Sequence, residues 1–118
     1  MSQQIGFAAE NMAKKYLVKQ GLKYIASNYK SKLGEIDLIM QDRDCLVFVE
    51  VKSRKSAAFG HAESYVTQSK QTKIIKTAFL YLQAKHYNHN HPFRFDVLSI
   101  SGENHQVNWI ANAFGTDY

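Results

Sequence analysis

Cysteine is almost absent: Cys45 is the one thiol among 118 residues. That excludes a disulfide within the chain and a zinc site built on cysteines, and it points to a reducing compartment. Long apolar runs are missing as well. None that is uninterrupted exceeds five residues, as in Cys45 to Val49, against the ~20 that cross a bilayer. No basic segment followed by an apolar one opens the sequence, so no secretory leader is expected. These absences predict a soluble, cytoplasmic protein. Proline occurs once, at Pro92, and neither repeats nor low-complexity tracts are present. Acids are outnumbered, 10 Asp plus Glu against 15 Lys plus Arg, which leaves a net charge of +5. Such a surplus favours a polyanionic partner, nucleic acid first and an acidic membrane surface second.

What is present fits one globular domain over residues 1–118. Hydrophobic residues make up 45% and charged residues 21%, close to the average of folded domains. The length leaves room for one core and one site, with no separate cofactor domain. Apolar residues at Ile5, Ala8, Ala9, Met12, Ala13, Tyr16 and Leu17 recur at helical spacing, and Gly21 is a natural stop. Leu22 to Tyr29 reads as a first strand and Ser31 to Gly34 as a turn. Glu35–Met40 and Cys45–Lys52 read as a hairpin around the polar turn of residues 41–44. The second of these strands is apolar on both faces, as an internal strand would be.

Ser53 to Ser64 is polar and reads as a long loop, a common location for function. Thr67 to about Tyr87 predicts a second helix, with Ile74, Ile75, Ala78, Phe79 and Leu82 facing inward. Phe93–Ile100 and a short Val107–Ile110 complete the chain as strands. The order αβββαββ suggests an α/β fold, a mixed sheet covered on both faces.

The chemistry lies in Gly34-Glu35-Ile36-Asp37-Leu38-Ile39 and Val47-Phe48-Val49-Glu50-Val51-Lys52. Asp37 interrupts an apolar strand, and Glu50 follows four apolar residues. Carboxylates in such places are costly unless paired, hydrogen-bonded or bound to a cation. A hairpin centred between Arg43 and Asp44 sets Asp37 opposite Glu50, and opposed Cβ atoms lie ~4.5–5.5 Å apart on one face. Two carboxylates so placed can share a divalent cation such as Mg²⁺. Lys52 returns to the face of Glu50, where its ammonium could position a water or steady a phosphate oxygen. Glu10, about 20° from Leu17 on the helical wheel, is a candidate fourth member at the margin of the buried face. The plainer readings are a structural ion network joining Asp37 and Glu50 to Lys52 and Arg94, and a surface pair from Glu10 to Lys14.

These residues resemble the PD-(D/E)xK nuclease superfamily of restriction enzymes and archaeal-type Holliday junction resolvases. Asp37 matches its first motif acid, Glu50-Val51-Lys52 its Glu-x-Lys, and Glu10 is similar in placement to the helical Glu of the resolvase branch. Across almost the whole chain the sequence resembles the YraN family of small bacterial endonuclease-like proteins. That likeness is carried by Gly6–Glu10, Gly34–Ile39, Val47–Lys52, Arg94–Val97 and Ala113-Phe114. Ile36 stands where the superfamily's name has proline. The resemblance implies a restriction-endonuclease-like core and a Mg²⁺-dependent DNA endonuclease, with Mn²⁺ as a substitute. Asp37, Glu50 and Glu10 would be the metal ligands, and Lys52 would complete the catalytic set.

Gln68, Lys70 and Lys73, in the first turns of the second helix, are similar in position to an accessory residue of some of these nucleases. A solvated helical face is the plainer reading. Arg54 and Lys55 put positive charge beside the proposed centre. Phosphate contacts carry no sequence information, and nothing resembles a base-reading helix. The expectation is therefore recognition of branched, nicked or end-containing DNA by its structure. Symmetric cutting of both strands would require a homodimer. Arg94 and Asp96 share a face and should brace the sheet. His86, His89 and His91 do not fit a zinc spacing. The alternative is a catalytically silent nuclease-like fold that serves as a nucleic-acid or protein interaction module.

Overall fold

A computed structural model of the chain describes residues 2–54, 66–102 and 104–115, with side chains from residue 8 to residue 53 in the first of these segments. Helix α1 spans Ser2–Lys19. Strands β1 (Lys23–Lys30), β2 (Glu35–Asp42) and β3 (Cys45–Arg54) follow, then α2 (Gln68–Ala84), β4 (Phe93–Ser101) and β5 (Gln106–Phe114). This is the predicted αβββαββ order. Gly21, at φ 100°, lies just past the end of α1, in the left-handed conformation that glycine tolerates best.

The five strands form one sheet in the spatial order β1-β2-β3-β4-β5. Three pairings are antiparallel, and β3 pairs with β4 in parallel. That parallel pair requires a crossover, which α2 provides. The strand with apolar residues on both faces, β3, sits at the centre as expected, and its alternate residues feed two separate cores. Val47 and Val49 pack with Ala9, Ala13 and Leu17 of α1. Leu46 and Phe48 pack with Ile74, Ala78 and Tyr81 of α2. Each helix therefore covers one face of a mixed sheet, an architecture compatible with a restriction-endonuclease-like core.

Three expectations need correction. Phe79 does not point inward: it is 48% exposed and touches Phe93 edge to face. Tyr81 takes the core position, ringed by Tyr29 and Phe48. β5 extends to Phe114, well beyond Ile110, through an irregularity opposite Phe95–Val97 where Asn112 adopts φ 53°. β3 extends through Ser53 to Arg54, so the predicted loop begins later. The remainder of the 53–64 segment lies outside the described residues.

The β1–β2 turn is locked onto α2. Ser31 Oγ accepts from the Leu33 and Gly34 N–H groups at 3.0 and 3.2 Å and shares a 3.0 Å hydrogen bond with Thr77 Oγ1. A Cβ added at Gly34 would lie 3.1 Å from Thr77 Oγ1 and 3.2 Å from the Lys73 carbonyl oxygen. Gly34→Ala is therefore expected to push the turn off the helix. The cost should be ~1–3 kcal/mol, the usual range for overpacking, read as a lower urea midpoint at unchanged slope.

Candidate active site

The sheet opens at Asp37. The β2–β3 ladder runs from Asp42 opposite Cys45 to Leu38 opposite Val49. Carried one step further, the same register brings Asp37 opposite Glu50, but the backbone ladder stops short of that pair. There the Val51 N–H donates to Asp37 Oδ2 at 2.9 Å. A side-chain oxygen thus replaces a backbone carbonyl as acceptor, which satisfies the buried N–H while the strands part. Glu50 stays in the parallel ladder, opposite Val97.

The two acids meet. Their carboxyl groups lie close enough for the charge of one to act on the protonation of the other. Burial, together with the charge of Glu50, pushes the Asp37 carboxyl up to about 8, against the pull of the Val51 N–H. Glu50 is only 4% exposed, and its Oε2 atom accepts no well-aligned hydrogen bond. Two ammonium groups approach that atom: Lys70 Nζ at 2.5 Å and Lys52 Nζ at 4.0 Å. Burial, and after it the neighbouring Lys70 charge, lowers the Lys52 pKa. Burial works the same way on Lys70, but its bond to Glu50 outweighs it and the pKa rises.

The sequence-based set is thus assembled in large part. Asp37, Glu50 and Lys52 converge. Glu10 reaches the margin: it is half-buried, and burial, with the charges of Glu35 and Glu50, raises its pKa against the pull of Asn28. No ion pair joins it to Lys14 among the described residues; Lys14 Nζ lies 3.8 Å from the centre of the Tyr24 ring instead. Arg94 does not belong to this network. It bonds Asp42 and Asp96 on the opposite face, so it braces the sheet as expected. Gln68 and Lys73 are exposed on α2. Arg54 pairs with Ser101 through the backbone, and Lys55 lies outside the described residues.

The contact that sequence reasoning missed is Lys70 on Glu50. A signal for it existed. Thr67 caps α2, with the Lys70 N–H donating to its Oγ1 at 3.1 Å, so Lys70 sits at the third helical position. Acids are favoured there and cations are not. A lysine in that place is better accommodated with a carboxylate opposite it.

Among the described residues, no three His, Cys, Asp or Glu side chains gather closely enough to form a metal-ligand group. The pair itself nevertheless suits a hard divalent cation. It offers carboxylate oxygens from two strands, and one of them, Glu50 Oε2, is buried and faced by the two lysine ammonium groups, where a cation is already favoured. Mg²⁺ is commonly held by one or two carboxylates, with water and phosphate oxygens completing the shell.

Comparison with known proteins gives a consistent assignment. The model of the family described as "Uncharacterised protein family UPF0102" matches residues 9–100. The chain belongs to the UPF0102 (YraN) family. Its UPF0102 relatives include a protein of Saccharophagus degradans that is 52% identical over 92% of this chain and 91% of its own length. A Vibrio vulnificus (strain YJ016) member is 48% identical over 92% of this chain and 90% of its own. A member from Coxiella burnetii (strain RSA 331) is 45% identical over the full chain and 98% of its own length. The segment that defines UPF0102 contains Glu10, Asp37, Glu50, Lys52 and Lys70, and stops before β5. Among the described residues no helix is long and apolar enough to cross a membrane.

Proposed function

We propose that this UPF0102 chain is a Mg²⁺-dependent DNA endonuclease that hydrolyses phosphodiester bonds and selects DNA by structure rather than sequence. One observation carries the reading: Asp37 and Glu50 meet where the sheet opens, with Lys52 and Lys70 beside them. Asp37 and Glu50 would hold the cation and Glu10 would support it from the margin. A bound Mg²⁺ or Mn²⁺ supplies charge stabilisation to the reacting phosphate and acidifies water. Lys52 orients the attacking water and the scissile phosphate. Its lowered pKa makes its ammonium readier to pass a proton than an exposed lysine's. Lys70, which contacts Glu50, would be free to contact the phosphate if a cation held that acid. Arg54, Lys55, Gln68 and Lys73 would hold the flanking backbone, a form of contact that reads no sequence and leaves branched, nicked or end-containing DNA to be distinguished by shape. Cutting both strands symmetrically calls for a homodimer, and the chemistry suits the cytoplasm.

The test is a cleavage panel of linear, nicked, flapped and branched duplexes with Mg²⁺, Mn²⁺ or EDTA. Cation-dependent cutting is expected, strongest on the non-linear substrates. Lys52→Met should lower kcat by on the order of 10²–10³-fold, the usual scale for losing one positioned charge-stabilising group. No cutting by the wild type on any substrate would defeat the reading.

A second reading has one observation in its favour: Lys70 already neutralises Glu50, so the fold holds without a cation. The chain would then be a silent nuclease-like interaction module. Salt-dependent DNA binding that survives Asp37→Ala and Glu50→Ala, without any cleavage, would favour it.

A further inference from the structure

The turn between β1 and β2, together with Lys73 of α2, lines an open depression, one helical turn on from the Lys70 that contacts Glu50. Lys30 and Lys32 enter it from the turn and Lys73 from the helix, with Glu35 the one acid among its lining residues. All three lysines are exposed. Among the described residues none of them is in an ion pair, whereas Lys52 and Lys70 both lean on Glu50. We propose that Lys30, Lys32 and Lys73 form a seat for the backbone phosphates of duplex DNA flanking the cleaved bond. This rests on the nuclease reading and adds to it the path that the substrate takes.

Three features support the seat. First, its scaffold is rigid. The Ser31 N–H donates to the Gly34 carbonyl at 2.8 Å, Ser31 Oγ bonds Thr77, and Gly34 lies against the backbone of Lys73. Lysines on a fixed turn lose less freedom on binding than lysines on a mobile one.

Second, the seat is continuous with the acidic pair. Lys73 stands three residues after Lys70, about one turn further along the same side of α2, and Lys70 contacts Glu50. Lys73 thus leads from the pair to the turn lysines.

Third, the depression is shallow and open to solvent. That suits a polymer passing across it better than an enclosed small molecule.

The experiment is fluorescence anisotropy of a labelled duplex across a salt series in EDTA, where cleavage does not intervene. The wild type is compared with Lys30→Gln/Lys32→Gln/Lys73→Gln, and with a control carrying Lys15→Gln, Lys19→Gln and Lys85→Gln on surfaces away from the turn. Each lost phosphate contact lowers the slope of log K against log salt by ~0.9. The expected result is a slope smaller by about 2–3 for the first variant and an unchanged slope for the control. Lys73→Gln alone should lose about 0.9, which guards against any disturbance of the turn by the triple change. Equal slopes for all variants, or no binding by the wild type, would overturn the seat. The cleavage panel on the wild type judges the nuclease reading separately, so active enzyme with unaltered slopes would sink only this inference.

Discussion

Asp37→Asn is expected to destroy activity and raise stability at the same time. Asparagine keeps an oxygen for the Val51 N–H but cannot carry the charge that a cation requires. A metal site provides several kcal/mol of transition-state stabilisation. At ~1.4 kcal/mol per tenfold, its loss should lower cleavage by on the order of 10³-fold.

The stability effect follows from the raised pKa. The Asp37 carboxyl moves from an ordinary 3.8 up to about 8 in the folded chain. Between those values the folded chain holds a proton that the unfolded chain has released, so stability falls as pH rises. The penalty is absent below about 4 and complete above about 8. In EDTA the wild-type Tm should therefore decline across that window, while that of Asp37→Asn should stay flatter and exceed it at the alkaline end. Mg²⁺ should raise the wild-type Tm by mass action and leave that of Asp37→Asn in place. Thermal melts at several pH values check all three statements. A wild-type Tm that rises towards pH 8 in EDTA would contradict the account.

The largest loss of stability should come from Asp96→Ala. Asp96 is fully buried. It accepts hydrogen bonds from Arg94 Nε and Nη2 at 3.0 and 3.2 Å, from Trp109 Nε1 at 2.9 Å and from the Asn112 N–H at 2.9 Å. Removing the carboxylate orphans those donors and leaves the guanidinium with Asp42 alone. Breaking a buried pair from one side costs ~3–5 kcal/mol. Urea unfolding should show a loss in that range, along with weaker docking of β5, because Trp109 and Asn112 lose their anchor together. A loss below 1 kcal/mol, within the range of many surface changes, would mean that the carboxylate does not hold β5 in place.

Much of this was legible in the sequence, for identifiable reasons. Period-2 and period-3.6 apolar patterns mark α1, β2, β3 and β4 because each of them buries a face. The doubly apolar run at Leu46–Val49 marks the centre of the sheet. The Asp37–Glu50 meeting was legible because hairpin register leaves few choices once the turn is placed. The limits are physical too. Phe79 sits at helical spacing from Ile75 and Leu82, yet Tyr81 fills the core, and periodicity alone does not decide between two aromatic residues two positions apart. β5 runs past Ile110 through Asn112, a residue type depleted from strands. Its left-handed backbone in fact turns an N–H out of the ladder towards Asp96, a partner 16 residues away. Lys70 reaches Glu50 only through the crossover, and no local pattern records a contact between the two ends of a crossover.

The spatial order of the strands repeats their order along the chain, and this sets an order of assembly. β1, β2 and β3 form a meander of short-range contacts, which are the fastest kind to close. Both acids lie within it. Lys70 comes later in synthesis, and β4 later still, through the one parallel pairing. During translation the two acids and Lys52 are thus in place before α2 brings Lys70 and, with β4, the cover that buries them.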